Sequence, residues 1–267
     1  MYALNYVKVK SLTEAAKMLA SNPEAKLLAG GMTLVPTLKQ RLAQPSHLVD
    51  IGGLPELRGI TAKAGALTIG AATKHHEVAT SAVVKKAIPT LAYLAGLIGD
   101  PQVRNMGTIG GSVANNDPAS DYPAAVLGLG ATVVTNKREI AADDYFQGLF
   151  TTALEEGEII TRIVFPVPKR AAYAKFAHPA SGYAMAGVFA AQTASGTRVA
   201  VTGAGPGVFR WKAAEAALGK SLKAAAIDGA RLDAGEMNED IHATREYRAN
   251  LVRVMAKRAV AKLSGKK

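Results

Sequence analysis

The residues best suited to chemistry in this sequence are two glycine doublets, Ala29-Gly30-Gly31-Met32-Thr33 and Thr108-Ile109-Gly110-Gly111-Ser112. Glycine lets backbone N–H groups approach a ligand closely and adopt angles that a Cβ forbids. Successive N–H groups in such a turn form a concave anion site. One loop of this kind suits a phosphate, and two suit both halves of a pyrophosphate. A tight turn after a strand also uses Gly-Gly for its own geometry. Neither doublet fits the G-x-G-x-x-G or the G-x-x-x-x-G-K-[ST] pattern, so spacing alone makes them candidate anion loops.

The flanking elements have to position these loops. Ser11-Leu12-Thr13-Glu14 reads as a capping box opening a helix. Lys26 to Ala29 reads as a strand running into the first doublet. Thr33 is placed to cap the next helix, with Leu34, Leu38 and Leu42 as its buried stripe. His47 to Ile51 is a further strand. Residues 1–55 thus form a small α/β unit. A mixed stretch follows, with a strand over 67–70 and a helical pattern over 81–98 that Pro89 kinks or breaks. The second doublet is approached by a turn-rich Asp100–Asn105 segment and followed by a helix over 118–129. Strands are expected over 131–135 and 159–165, the latter ended by Pro166-Val167-Pro168. Beyond it lie strands over 173–176 and 198–202 and helices over 212–218 and 245–263. The double proline divides 56–168 from 169–267.

Composition narrows the classes. The chain has 267 residues, 49% of them hydrophobic and 20% charged, which suits a substantial globular core. No apolar run approaches the ~18–20 residues of a membrane span, and Met1 to Tyr6 lacks a secretory n-region and h-region, so the cytoplasm is expected. With no cysteine, the chain itself carries no disulfide, thiolate nucleophile, or cysteine-ligated iron–sulfur cluster or zinc. His75-His76 is read as a surface-loop pair with poor metal geometry. The net charge of +11 raises nucleic acid as a partner. Much of it lies in Arg245, Arg248, Arg253, Lys257, Arg258, Lys262, Lys266 and Lys267, the basic, solvated face of an amphipathic helix. No aromatics interleave there to stack bases. Docking of an acidic subunit, or solubility, accounts for that face equally well.

Leu28 to Pro36 and Val103 to Ser112 together resemble the paired flavin loops of the FAD-binding medium subunit of molybdenum hydroxylases. The likeness continues through Asn116 to Ala125, Tyr173-Ala174-Lys175-Phe176, Ile241-His242 and Tyr247-Arg248, and so covers nearly the whole chain. It implies an α+β, vanillyl-alcohol-oxidase (PCMH-type) FAD-binding fold, with two α/β subdomains and a C-terminal sheet-and-helix domain. It also implies non-covalent FAD. By the same resemblance, Ala29, Gly30, Gly31, Met32 and Thr33 serve one phosphate, Thr108, Ile109, Gly110, Gly111 and Ser112 serve the other, and Leu28 is a further cofactor contact. Asp121 and Lys175 are implied as polar FAD contacts and Ile160 as a backbone contact. Ile98 and Tyr183 are implied beside the isoalloxazine. Gly182 departs from the arginine or aspartate that relatives often carry there, and Met32 from a more polar residue.

The implied function is electron transfer. A small iron–sulfur subunit with [2Fe-2S] clusters feeds this flavin, a large molybdopterin subunit hydroxylates the substrate, and the assembly is a dimer of heterotrimers. No catalytic base and no metal site is expected on this chain. Two alternatives stay open at the level of sequence: a stand-alone flavin reductase or oxidase of the same fold, and a basic, non-enzymatic binding module.

Overall fold

The computed structural model describes residues 1–265. Lys266 and Lys267, assigned above to the basic face, lie outside the described residues.

The first sheet is parallel: β1 (Asn5–Lys8), β2 (Lys26–Leu28) and β3 (His47–Asp50) pair in the order β1-β3-β2. The crossover into β2 is the helix Leu12–Ser21, whose N-cap Ser11 accepts from Glu14 N while Glu14 accepts from Lys10 N. The expected cap of the following helix, Leu34–Lys39, is absent: the Thr33 side chain makes no capping bond. That helix ends early because Arg41 turns to a φ of +59°, so Leu42 is 73% exposed rather than buried.

The second sheet is antiparallel and has the order β4-β5-β10-β6-β7. Its strands are β4 (Ile60–Lys63), β5 (Ala66–Gly70), β6 (Thr132–Thr135), β7 (Glu139–Ala141) and β10 (Ile160–Pro166). A small hairpin, β8 (Phe146–Gly148) with β9 (Thr151–Thr152), lies between. The helical 81–98 stretch is two helices, Ala82–Ala87 and Pro89–Gly96, with Pro89 in the first turn of the second. The Asp100–Asn105 segment is a helix, Pro101–Met106, capped by Asp100 on Val103 N at 2.8 Å. Another short helix, Ile109–Asn115, follows directly. The helix expected over 118–129 begins only at Tyr122.

The third sheet, β11-β12-β13-β14, comprises β11 (Arg170–Ala177), β12 (Ala184–Thr193), β13 (Gly196–Thr202) and β14 (Phe209–Arg210). Its long strand β12 was not foreseen. Leu251, Met255, Ala259 and Val260 of the helix Arg245–Leu263 pack on one face of this sheet with Val188 and Val199. From the other face, Tyr173 and Phe189 join the core of the second sheet around Leu67, Ile163 and Tyr122. Arg248 departs from the solvated face assigned to it. It is 5% exposed, donates to the carbonyls of Met185 and Gly203, and pairs with Asp240 at 2.5 Å.

Candidate functional site

The two glycine loops meet. A Cβ on Gly30 would lie 2.2 Å from the Met106 carbonyl oxygen and 2.7 Å from Gly107 Cα, so main chain touches main chain there. Gly31 turns the loop at a φ of +70°, where a Cβ is penalised. The loops border one open cleft of about 800 Å³, within the size range of cofactor pockets.

Leu28, Ala29, Gly30, Gly31, Met32 and Thr33 line this cleft on one side, and Thr108, Gly110, Gly111 and Ser112 on the other. Ile98, Asp121, Ile160 and Tyr183 also line it. Two expected residues do not line it. The Ile109 side chain is fully buried in the core of the second sheet. Lys175 sits behind Asp121, its Nζ 2.8 Å from Asp121 Oδ2 and 3.3 Å from the Leu97 carbonyl.

The two loops differ in their donors. No protein acceptor is found among the described residues for the N–H groups of Ala29, Gly30, Gly31, Met32 and Thr33. All five residues line the cleft. In the second loop, expected to donate to the other phosphate, most N–H groups already have partners. Ile109 N donates to Thr73 O, Gly110 N to Ala71 O, Ser112 N to Thr108 O and Gly111 N to Thr108 Oγ1. Among the described residues only the Thr108 N–H of this loop is left without an acceptor, and Ser112, which carries a hydroxyl, lines the cleft. Gly110 is therefore a packing glycine, since its Cβ would meet the Ala71 side chain at 2.6 Å.

Asp121 is 4% exposed and holds Tyr173 Oη at 2.5 Å besides Lys175. Burial pushes its carboxyl up from the ordinary value, against the pull of Lys175 and Tyr173. Gly182, the departure noted above, has a φ of +71° in the 178–183 loop, which closes through His178 N–Tyr183 O at 2.7 Å. Glycine suits that turn. Tyr183 beside it is 47% exposed, and burial with Asp117 and Asp121 nearby raises its phenol.

The structure also corrects the reading of His75. It starts the helix His75–Thr80, is 5% exposed, lines the cleft and packs on the Tyr122 ring at 5.3 Å. The available signal was the i, i+3 pair His75 and Val78 on one buried helical face. No cluster of three or more metal-ligating side chains occurs among the described residues. No helix there is long and apolar enough to cross a membrane.

Residues 2–168 match the model of a family described as the FAD binding domain in molybdopterin dehydrogenase. The chain is 37% identical over 273 residues to the carbon monoxide dehydrogenase medium chain of Hydrogenophaga pseudoflava, covering 96% of this chain and 95% of that one. It is 39% identical over 201 residues to the glyceraldehyde dehydrogenase medium chain of Sulfolobus acidocaldarius, covering 73% and 72%. The solved carbon monoxide dehydrogenase of Oligotropha carboxidovorans superposes with a TM-score of 0.92 at 33% identity, covering 100% of this chain and 99% of its counterpart. The fold is accordingly the PCMH-type FAD-binding fold expected from the loops. With this match over most of its length and the paired loops in place, the chain belongs to the FAD-binding family of the molybdopterin dehydrogenases.

Proposed function

We infer that this chain is the FAD-carrying, electron-transfer subunit of a three-component molybdenum hydroxylase, placed between an iron–sulfur subunit and an external acceptor. The observation that carries this reading is the cleft between the glycine loops, with five unpartnered N–H groups along one wall. FAD fits these residues. The first glycine loop supplies donors without a cation, and hydrogen bonds to a charged group are worth ~1.5–3 kcal/mol each. Among the lining residues Lys26 is the only lysine or arginine, so affinity rests on backbone donors rather than on the net charge of +11. Once bound, FAD supplies the redox chemistry.

This chain's residues bind and orient. Ala29 to Thr33, Thr108 and Ser112 take the pyrophosphate. Ile160 contributes a backbone contact, and Ile98, Asp121 and Tyr183 border the isoalloxazine. Lys175 neutralises Asp121 from behind. The association is non-covalent, as the family resemblance implies, and the absence of cysteine excludes a cysteinyl flavin link. The same lack of cysteine assigns the [2Fe-2S] clusters to the small partner, and the molybdopterin belongs to the large one. Two of the curated relatives are, by name, medium chains of dehydrogenases, which supports the three-subunit arrangement. We place the assembly in the cytoplasm as a dimer of heterotrimers. We divide the chain into FAD-binding subdomains 1–55 and 56–168 and a C-terminal domain 169–267, in keeping with the three sheets.

The test is the visible spectrum of the purified chain after FAD addition and desalting, beside Met32→Asp and Ser112→Asp. Both substitutions place a carboxylate against the cleft without entering the core. Flavin bands retained by the wild type and lost in both folded variants are the expected result. A folded wild type that retains no flavin overturns the reading.

A further inference from the structure

His75 is held where the loops join. Its N–H donates to Gly107 O at 3.0 Å, and Ile109 N donates back to Thr73 O at 3.1 Å, so the start of its helix is stapled to the second loop. The imidazole lies against Gly107, where a Cβ would come within 2.6 Å of Nε2. Gly107 is in turn the residue on which Gly30 rests. Tyr122 covers the ring from another side.

Neither ring nitrogen has a protein partner among the described residues. Nδ1 is wholly enclosed, whereas Nε2 is not, and the residue lines the cleft. A buried N–H without an acceptor is rarer and costlier than a buried lone pair. The neutral ring therefore keeps its proton on Nε2, the nitrogen that is open to a ligand. Burial and the nearby Arg104 charge hold the imidazole at about 4, so it is uncharged at neutral pH.

We propose that His75 is a further cofactor-binding residue, its Nε2–H donating to a phosphate oxygen of the bound dinucleotide at the junction of the two loops. It supplies a donor on the side where the second loop has spent most of its own. The proposal rests on the FAD reading above and deepens it.

The test compares FAD and ADP binding, by fluorescence quenching and calorimetry, in the full-length wild type, His75→Phe and His75→Gln. Phenylalanine keeps the ring that packs on Tyr122, and glutamine keeps a donor. His75→Phe is expected to weaken both ligands about tenfold, in line with a lost charge-assisted bond. His75→Gln is expected to recover part of that loss. Equal affinities in wild type and His75→Phe, or a loss for FAD alone, overturn the assignment. If His75→Phe fails to fold, 15N NMR of the wild-type histidines decides. An Nε2–H signal that moves on ADP addition is expected, and one that does not move overturns the assignment. A wild-type chain that binds neither ligand overturns the FAD reading itself, and this proposal with it.

Discussion

Gly30 and Gly107 are in main-chain contact: a Cβ on Gly30 would sit 2.7 Å from Gly107 Cα and closer still to the Met106 carbonyl oxygen. Two loops separated by more than seventy residues are thereby held at a fixed distance by atoms that no side chain can replace. Neither backbone can yield cheaply, because Gly107 is also confined by His75.

Gly30→Ala is therefore expected to cost about 1–3 kcal/mol, the usual range for overpacking, and to abolish flavin retention by splaying the loops. Urea unfolding and the desalted visible spectrum measure the two effects. Unchanged values in both would remove the contact from the account.

The Asp121–Lys175 pair makes a different forecast. Both side chains are 4% exposed, so Lys175→Met strands a carboxylate that burial already pushes toward protonation. Breaking a buried pair on one side typically costs about 3–5 kcal/mol, while replacing both partners is far milder. The double variant Asp121→Asn/Lys175→Met is expected to regain most of the loss in a double-mutant cycle.

Acid sensitivity is traceable to Glu158. Arg138 donates to both of its carboxylate oxygens, and Thr135 Oγ1 and Glu155 N donate as well. Together they hold the carboxyl at about 2 against an unperturbed 4.5. A depressed carboxylate stabilises the fold above its unfolded value and loses that contribution as pH falls through its folded one. Wild-type stability is expected to drop between pH 4.5 and about 2, with a shallower drop over that window in Glu158→Gln. Urea midpoints across the range provide the measurement.

Arg248 tests the C-terminal helix. Arg248→Met removes the guanidinium donor from the buried Met185 and Gly203 carbonyls and from Asp240 Oδ2, an expected loss of about 1–3 kcal/mol. Arg258→Met, on the same helix and exposed, is expected to change stability by less than about 0.5 kcal/mol. Thermal unfolding of the pair separates a structural arginine from a solvated one.

Local chemistry made parts of this molecule legible in advance. The Ser11–Glu14 cap, the break at Pro89 and the strand before the first glycine loop all follow from short-range rules, and the loops themselves pointed to an anion. Other parts depend on contacts distant in sequence. Strand β12 is rich in alanine and buried on both faces, so it lacks the period-two alternation that marks a half-exposed strand. His75 follows Lys74, which gives no N-cap signal, and its burial comes from Gly107 and Tyr122. Arg248 looks like any helix arginine until Met185 and Gly203 are brought to it by the third sheet. In the second loop, Ile109 N and Gly110 N find acceptors in Thr73 and Ala71, nearly forty residues upstream, which no local pattern announces.

The contact of main chain on main chain between the loops has a consequence for how this scaffold can diversify. An aperture whose width is set by peptide atoms is insulated from side-chain drift, so its span stays constant while the rest of the chain varies. Innovation is pushed to the rim, to positions such as Met32 and Tyr183, where side chains face the opening without setting its gauge.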